Sequence, residues 1–188
     1  MRIITGKYKG RHFDIPRSFK ARPTTDFAKE NIFNVLVHYV DFDGAAALDL
    51  FSGTGSISLE LLSRGCSQVV SVELDRDHHR FIQECVKKLT GNQAENQGVI
   101  PIRGDVFRFI KSCKQQYDLI FADPPYALKE LAQIPDLIIE QQLLKADGIL
   151  VLEHGKDYDF AGHPHFMEHR SYGSVNFSLF RAAATSGE

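Results

Sequence analysis

Cysteine is scarce in this chain: Cys66, Cys85 and Cys113 are the only three, and no two of them form a CxxC pair. An odd count without ligand spacing argues against a disulfide framework or a zinc site, and Cys85 falls on the apolar stripe of a helical pattern. A reducing cytoplasm is therefore the expected location. Long hydrophobic runs are missing too, since no stretch approaches the roughly 18 apolar residues of a membrane span. No charged and then apolar leader opens the sequence, so a soluble protein without a membrane partner is expected. There is no internal repeat and no low-complexity linker. The eight histidines are scattered, and neither His78-His79 nor His163-Pro164-His165 has further ligands at metal spacing, so no metal is expected.

What is present begins with size. A chain of 188 residues that is 43% apolar can bury roughly 70% of its unfolded surface, enough for one domain and an additional arm. The net charge of −2 hides an asymmetry. Residues 1–30 carry eight basic side chains (Arg2, Lys7, Lys9, Arg11, Arg17, Lys20, Arg22, Lys29) against Asp14, Asp26 and Glu30, a balance of +5 that leaves −7 for the rest. A basic arm on an acidic body suggests a polyanionic partner, although a solvated hairpin would look the same. Tyr8, His12 and Phe13, interleaved with the charges, favour nucleic acid.

Five short apolar runs rich in branched residues, at 45–51, 68–74, 98–103, 117–122 and 148–154, read as strands buried on both faces. Between them, Phe81, Ile82, Cys85, Val86 and Leu89 form one helical stripe, and Ala28, Ile32, Val35, Leu36 and Tyr39 form another. This alternation predicts an α/β fold with a parallel, doubly wound sheet. Two further runs meet at Ser171 to Ser174, so the sheet should end in an antiparallel hairpin.

Open parallel sheets bind ligands at the carboxyl ends of their strands, so the residues following each strand belong together. After the first comes DLFSGTGS, with Asp49, Phe51, Gly53 and Gly55, where glycines let a ligand approach the backbone. Ser58 stands where the dinucleotide fingerprint has its third glycine, which counts against NAD. The second strand ends at Glu73, eighteen residues past Gly55, where a carboxylate can accept both ribose hydroxyls. Asp105 follows the third strand and suits an exocyclic adenine amine with Val106 against the ring, though an isolated aspartate there is also a helix cap. Together these strand ends outline a pocket for an adenosine-containing cofactor.

The fourth strand ends in Asp123-Pro124-Pro125-Tyr126. A nucleobase amine is a poor nucleophile because its lone pair is delocalised into the ring. If the Asp123 carboxylate and the Pro124 carbonyl accept its two N–H bonds, the lone pair is directed at an electrophile opposite. The prolines stiffen the loop and offer no competing N–H, and Tyr126 can stack on the base, a contact worth roughly 1–3 kcal/mol. The electrophile consistent with the other loops is the methyl group of S-adenosylmethionine.

These motifs resemble class I methyltransferases that carry a (D/N)PP(Y/F) loop. RIITGKYKGRHFDIP, RPTTDFAKENIFNVL, LDLFSGTGSISLELLSRG, VELD, FADPPY and RSYG, in that order, are similar to the bacterial 16S ribosomal RNA guanine-N2 methyltransferase family, whose target is guanine 966 of the small subunit. The resemblance implies a Rossmann-like fold with a mostly parallel seven-stranded sheet, a C-terminal antiparallel hairpin and a small basic N-terminal β-hairpin arm. Residues 1–24 would be that arm and 25–188 the methyltransferase domain. It implies S-adenosylmethionine held by Asp49, Phe51, Gly53, Thr54, Gly55, Glu73, Leu74, Asp105, Val106 and Thr25, with Asp123, Pro124, Pro125 and Tyr126 catalytic. Thr54 stands where some relatives have serine. The partner would be 16S ribosomal RNA in the small subunit or its assembly intermediate, met by Arg2, Lys7, Lys9, Arg11, Arg22 and Thr24, and the protein would be a cytoplasmic monomer. In RPTTD, Thr25 or Asp26 also suits a helix cap. Arg170 and Tyr172 in RSYG suit hairpin stabilisation. Rival readings are an adenine-N6 methyltransferase, disfavoured by aspartate in place of the usual asparagine, and a non-catalytic S-adenosylmethionine-binding RNA factor, disfavoured by the intact loop. A nicotinamide dehydrogenase is disfavoured by Ser58.

Overall fold

The computed structural model describes residues 1–20, 24–91 and 98–182. Strands β1 (Ala46–Leu50), β2 (Gln68–Glu73), β3 (Gly98–Arg103), β4 (Tyr117–Ala122), β5 (Leu144–His154), β6 (Phe166–Tyr172) and β7 (Val175–Arg181) form one sheet in the order β3-β2-β1-β4-β5-β7-β6. The first five run parallel, while β7 pairs antiparallel with β5 and β6. Parallel neighbours need crossovers, and helices α1 (Asp26–Leu36), α2 (Ser56–Ser63), α3 (Arg76–Thr90), α4 (Val106–Ser112) and α5 (Ile134–Glu140) provide the covering layers.

Both sheet faces are buried, and this explains the continuous apolar runs. On one face Ala47, Val69, Leu119, Phe121 and Val151 pack against Ile32 and Phe33 of α1, Leu59 of α2 and Ile82 and Cys85 of α3. On the other, Leu48, Val70, Ile120 and Leu150 meet Val106 and Ile110 of α4 and Ile134 and Ile138 of α5. The sequence reading holds for the sheet and its closing hairpin, which turns at Gly173 with φ 63°.

Two elements differ from expectation. Helix α1 stops at Leu36 instead of continuing through Tyr39, because the chain tightens there: His38 N donates to Val35 O at 3.1 Å and Tyr39 N to Leu36 O at 2.9 Å. Tyr39 then reaches away, and its hydroxyl donates to Glu168 at 2.7 Å. Strand β5 begins at Leu144, four residues early, because Leu144 pairs with Tyr117 before a register shift that carries Asp147 at φ 62°.

Residues 1–13 fold back on themselves: Ile3 N donates to Arg11 O at 3.0 Å, Gly10 N to Ile3 O at 2.9 Å and Phe13 N to Met1 O at 2.9 Å. This hairpin lies along α2, with Ile3 and Phe13 buried in the same core as α1. Glu60 of α2 accepts the amides of Ile4 at 2.8 Å and Thr5 at 3.0 Å. The buried Lys29 ammonium completes the joint, 3.4 Å from Glu60 and donating to Arg2 O at 2.6 Å and Ser56 Oγ at 3.0 Å. Burial lowers its pKa and Glu60 opposes that shift.

Candidate active site

The carboxyl ends of β3, β2, β1, β4 and β5 stand side by side in that order, with neighbours about 4.8 Å apart. Their loops therefore present Asp105, Glu73, the glycine loop, Asp123 and Glu153 in a row along one edge. Chain direction changes sides at β1, which lies between β2 and β4, so the glycine loop occupies the switch point where such sheets bind ligands.

The glycine loop owes its shape to close packing. Gly55, φ +78°, caps α2, and a Cβ there would meet Ile82 Cγ1 at 2.9 Å, so a side chain would drive α3 away. Phe51 holds φ 59°, a left-handed conformation costing a non-glycine residue roughly 1–2 kcal/mol, and its ring meets Phe107 edge-on at 6.2 Å. Ser52 N donates to Val72 O at 3.1 Å, and Ser71 Oγ to Ser52 Oγ at 2.8 Å. Glu73 braces the loop from β2: its oxygens accept Gly53 N at 2.7 Å and Asp75 N at 2.9 Å. Directly after it Leu74 is 63% exposed, an apolar surface beside the carboxylate that fits the adenosine end of a cofactor.

Asp49 lies beneath this loop, almost fully buried, with Ser58 Oγ donating to its Oδ2 at 2.6 Å. Burial pushes its pKa up to about 7, against the pull of the Ser58 hydrogen bond. Its carboxylate is tied to α2 through Ser58, which in the sequence reads only as a missing glycine. Thr54 is buried within the loop. Asp105 acts as a cap here, its Oδ1 accepting Arg108 N at 2.9 Å, and Val106 is buried behind it.

Asp123 begins the catalytic-loop candidate. Its amide donates to Leu50 O at 3.2 Å, which ties the end of β4 to the strand carrying the glycine loop. Burial, and then the Glu153 and Asp49 carboxylates, push its pKa well above the ordinary carboxylate range. Pro124 is buried and Pro125 exposed, and Tyr126 is 44% exposed while its hydroxyl donates to Glu153 Oε1 at 2.8 Å. Burial and the same carboxylate raise the phenol pKa.

Thr24 Oγ1 donates to Glu153 Oε2 at 3.2 Å, so the segment before α1 reaches the carboxylate that also holds Tyr126 of the DPPY loop. Of the two candidate caps it is Thr25 that accepts Ala28 N, at 3.2 Å. Arg22 and Pro23 lie outside the described residues. The basic candidates are spread out. Arg2 pairs with Asp26 at the first turn of α1 at 3.1 Å, whereas Lys7 N donates to Ser63 O at 2.7 Å and Arg11 reaches Lys88 O at 3.3 Å. Lys7, Lys9 and Arg11 thus sit at the end of α2 opposite the glycine loop, about 12 Å away for a helix of this length. Among the described residues no group of acids, histidines and cysteines could hold a metal ion, and no helix is long and apolar enough to cross a membrane. A separate hollow lined by Val37 to Asp43 and Arg64 lies at the amino end of β1 and gathers none of these residues.

Sequence reading missed Glu153, the acid at the end of the fifth strand, although the strand-end rule that found Glu73 and Asp105 applies to it equally. It also missed the buried pair of Lys29 and Glu60.

A glycine loop at the switch point, an acid braced against it from the neighbouring strand and a DPPY loop on the other side define a Rossmann-like methyltransferase. The family described as Conserved hypothetical protein 95 has a model that matches residues 1–181, and the chain belongs to it. The ribosomal RNA small subunit methyltransferase D of Escherichia coli K12 is 30% identical, over 81% of this chain and 74% of that one. The protein of the same description from Haemophilus influenzae is 29% identical, over 96% and 93%. Among solved structures, a hypothetical protein of Thermus thermophilus is 29% identical, with a TM-score of 0.82 over 97% of this chain and 99% of that one.

Proposed function

We propose that this protein is an S-adenosylmethionine-dependent ribosomal RNA methyltransferase acting on the exocyclic N2 amine of a guanine in 16S RNA of the small subunit, guanine 966 by family resemblance. The observation that carries the reading is the joint between Asp123 N and Leu50 O, which seats the DPPY loop against the strand that delivers the glycine loop.

The residues at hand fit the cofactor: open backbone at Gly53, the Glu73 carboxylate for ribose hydroxyls and the exposed Leu74 for the adenine face. S-adenosylmethionine, when bound, supplies an electrophilic methyl group. Asp123 and the Pro124 carbonyl accept the two N–H bonds of the guanine amine and orient its lone pair, and Tyr126 stacks on the base to fix its plane. A base inside a duplex is out of reach of such a loop, so the target nucleotide is extruded. The proton released from the methylated amine is acidic and passes to water or to the Asp123 carboxyl. Removing an oriented acceptor of this kind costs on the order of 10²–10³ in rate. Arg2, Lys7, Lys9, Arg11, Arg22 and Thr24 are assigned to the RNA, residues 1–24 to its docking, and the working form to a cytoplasmic monomer.

Incubation with labelled S-adenosylmethionine and small subunits lacking the modification tests the reading, with Asp123→Ala as control and the nucleoside identified by mass spectrometry. The expected product is N2-methylguanosine, lost in the control. Label on adenine, or none on RNA despite cofactor binding, rejects the assigned substrate.

A further inference from the structure

We propose that Glu153 is a positioning residue of the transfer site, a clamp that fixes the Tyr126 stacking platform and the segment at Thr24 as one unit beside Asp123. The inference rests on the function proposed above. Glu153 lies near the carboxyl end of β5, and the residue before it, Leu152, stands opposite Ala122, the residue before Asp123. Glu153 is 5% exposed, and burying a carboxylate is costly unless its oxygens are satisfied. Each oxygen takes one hydroxyl from a different segment: Oε1 from Tyr126 at 2.8 Å and Oε2 from Thr24 at 3.2 Å. The Glu153 charge also helps to raise the pKa of the neighbouring Asp123 carboxyl.

The sheet itself has no need for an acid here, since β5 meets β7 through backbone pairing with Phe177 opposite Glu153. What Glu153 adds is a link between two segments separated by 102 positions in the sequence, both at the mouth of the site. Tyr126 is held at its phenol end while nearly half of the residue stays open, an arrangement suited to receive the face of a base. With the phenol tethered, the ring plane is set before substrate arrives, and the ordering cost is met in folding instead of in binding.

The test uses the full chain in four forms: Glu153→Ala, Glu153→Gln, Tyr126→Phe and the double variant Tyr126→Phe/Glu153→Ala. Hydrogen exchange without RNA should quicken at Tyr126 to Leu128 and at Thr24 and Thr25 in Glu153→Ala, with the sheet amides unchanged. S-adenosylmethionine Kd, measured by calorimetry, should stay near the parent value. On small subunits, kcat should fall roughly tenfold, as for a reacting group displaced by a fraction of an ångström. Tyr126→Phe should lose about as much, and the double variant should be no worse than Glu153→Ala, the non-additivity of residues acting as one unit. Glu153→Gln keeps one acceptor oxygen and should recover part of the rate, which also covers the case in which the alanine variant does not fold. Additive losses, or quicker exchange spread over the whole sheet with unchanged kcat per folded molecule, would overturn the clamp. If the parent protein methylates no RNA, the proposed substrate fails instead, and exchange at residues 126–128 still decides the clamp.

Discussion

Asp49 shows how one side chain can serve a site while weakening the fold. Its carboxyl is nearly fully buried under the glycine loop and its pKa is raised to about 7, whereas an unfolded chain releases that proton near 4. A raised carboxyl makes the native state the better proton binder between those values, so the stability contributed by this group falls as pH climbs from about 4 to 7. Asp49→Asn keeps an oxygen for the Ser58 hydroxyl but has no charge to bury. The variant should therefore gain stability over the parent as pH rises, by on the order of 2–4 kcal/mol at pH 8 and close to nothing at pH 4. Urea melts across that range would show the two curves diverging, and parallel curves would mean that the carboxyl is ionised in the native protein at no cost. Asp49 was readable from sequence as a strand-end acid, but its partner was not, because a serine within a helical run carries no sign that it faces down.

At the scale of elements, legibility followed sequence distance. Strands β2, β3 and β4 matched their expected spans to within one residue because burial on both faces writes an uninterrupted apolar run. Glu60 and Lys29 carry no such signal, since Glu60 is covered by a hairpin more than fifty residues away and Lys29 is paired with Glu60, thirty-one residues away. The same hairpin separates two glycines that look alike in TGKYKGR. Gly6 and Gly10 both have positive φ, +91° and +82°, yet a Cβ on Gly6 would collide with the Ser63 carbonyl and one on Gly10 would meet nothing within 4 Å. Gly10→Ala should cost only left-handed strain, about 1–2 kcal/mol. Gly6→Ala adds the displacement of the hairpin from α2, roughly 1–3 kcal/mol more, so its Tm should lie about 2–10 °C below that of Gly10→Ala. Calorimetry of the pair measures the docking directly, and equal Tm values would show a hairpin free to lift from the helix.

Across the whole molecule, Lys7, Lys9 and Arg11 stand at the end of α2 opposite the glycine and DPPY loops, with Arg2 near the site. That separation was not legible in a net charge of +5 over thirty residues, because charge counts carry no direction until the hairpin is laid along the helix. Under the proposed function it predicts a division of labour along the RNA, with the far end anchoring phosphates and the loop at β4 engaging one nucleotide. Charges that only anchor should change affinity and its salt dependence but leave turnover alone. Lys7→Gln and Lys9→Gln together should make the slope of log Kobs against log salt shallower by about 1.4–1.8, the release of two counterions from single- or double-stranded RNA, while kcat at saturating substrate stays at the parent value. Filter binding over a salt series reads the slope, and single-turnover methylation reads the rate. An unchanged slope would take the RNA path off the hairpin tip, and a fall in kcat would mean that the tip governs how the target guanine is presented as well as how the RNA is held.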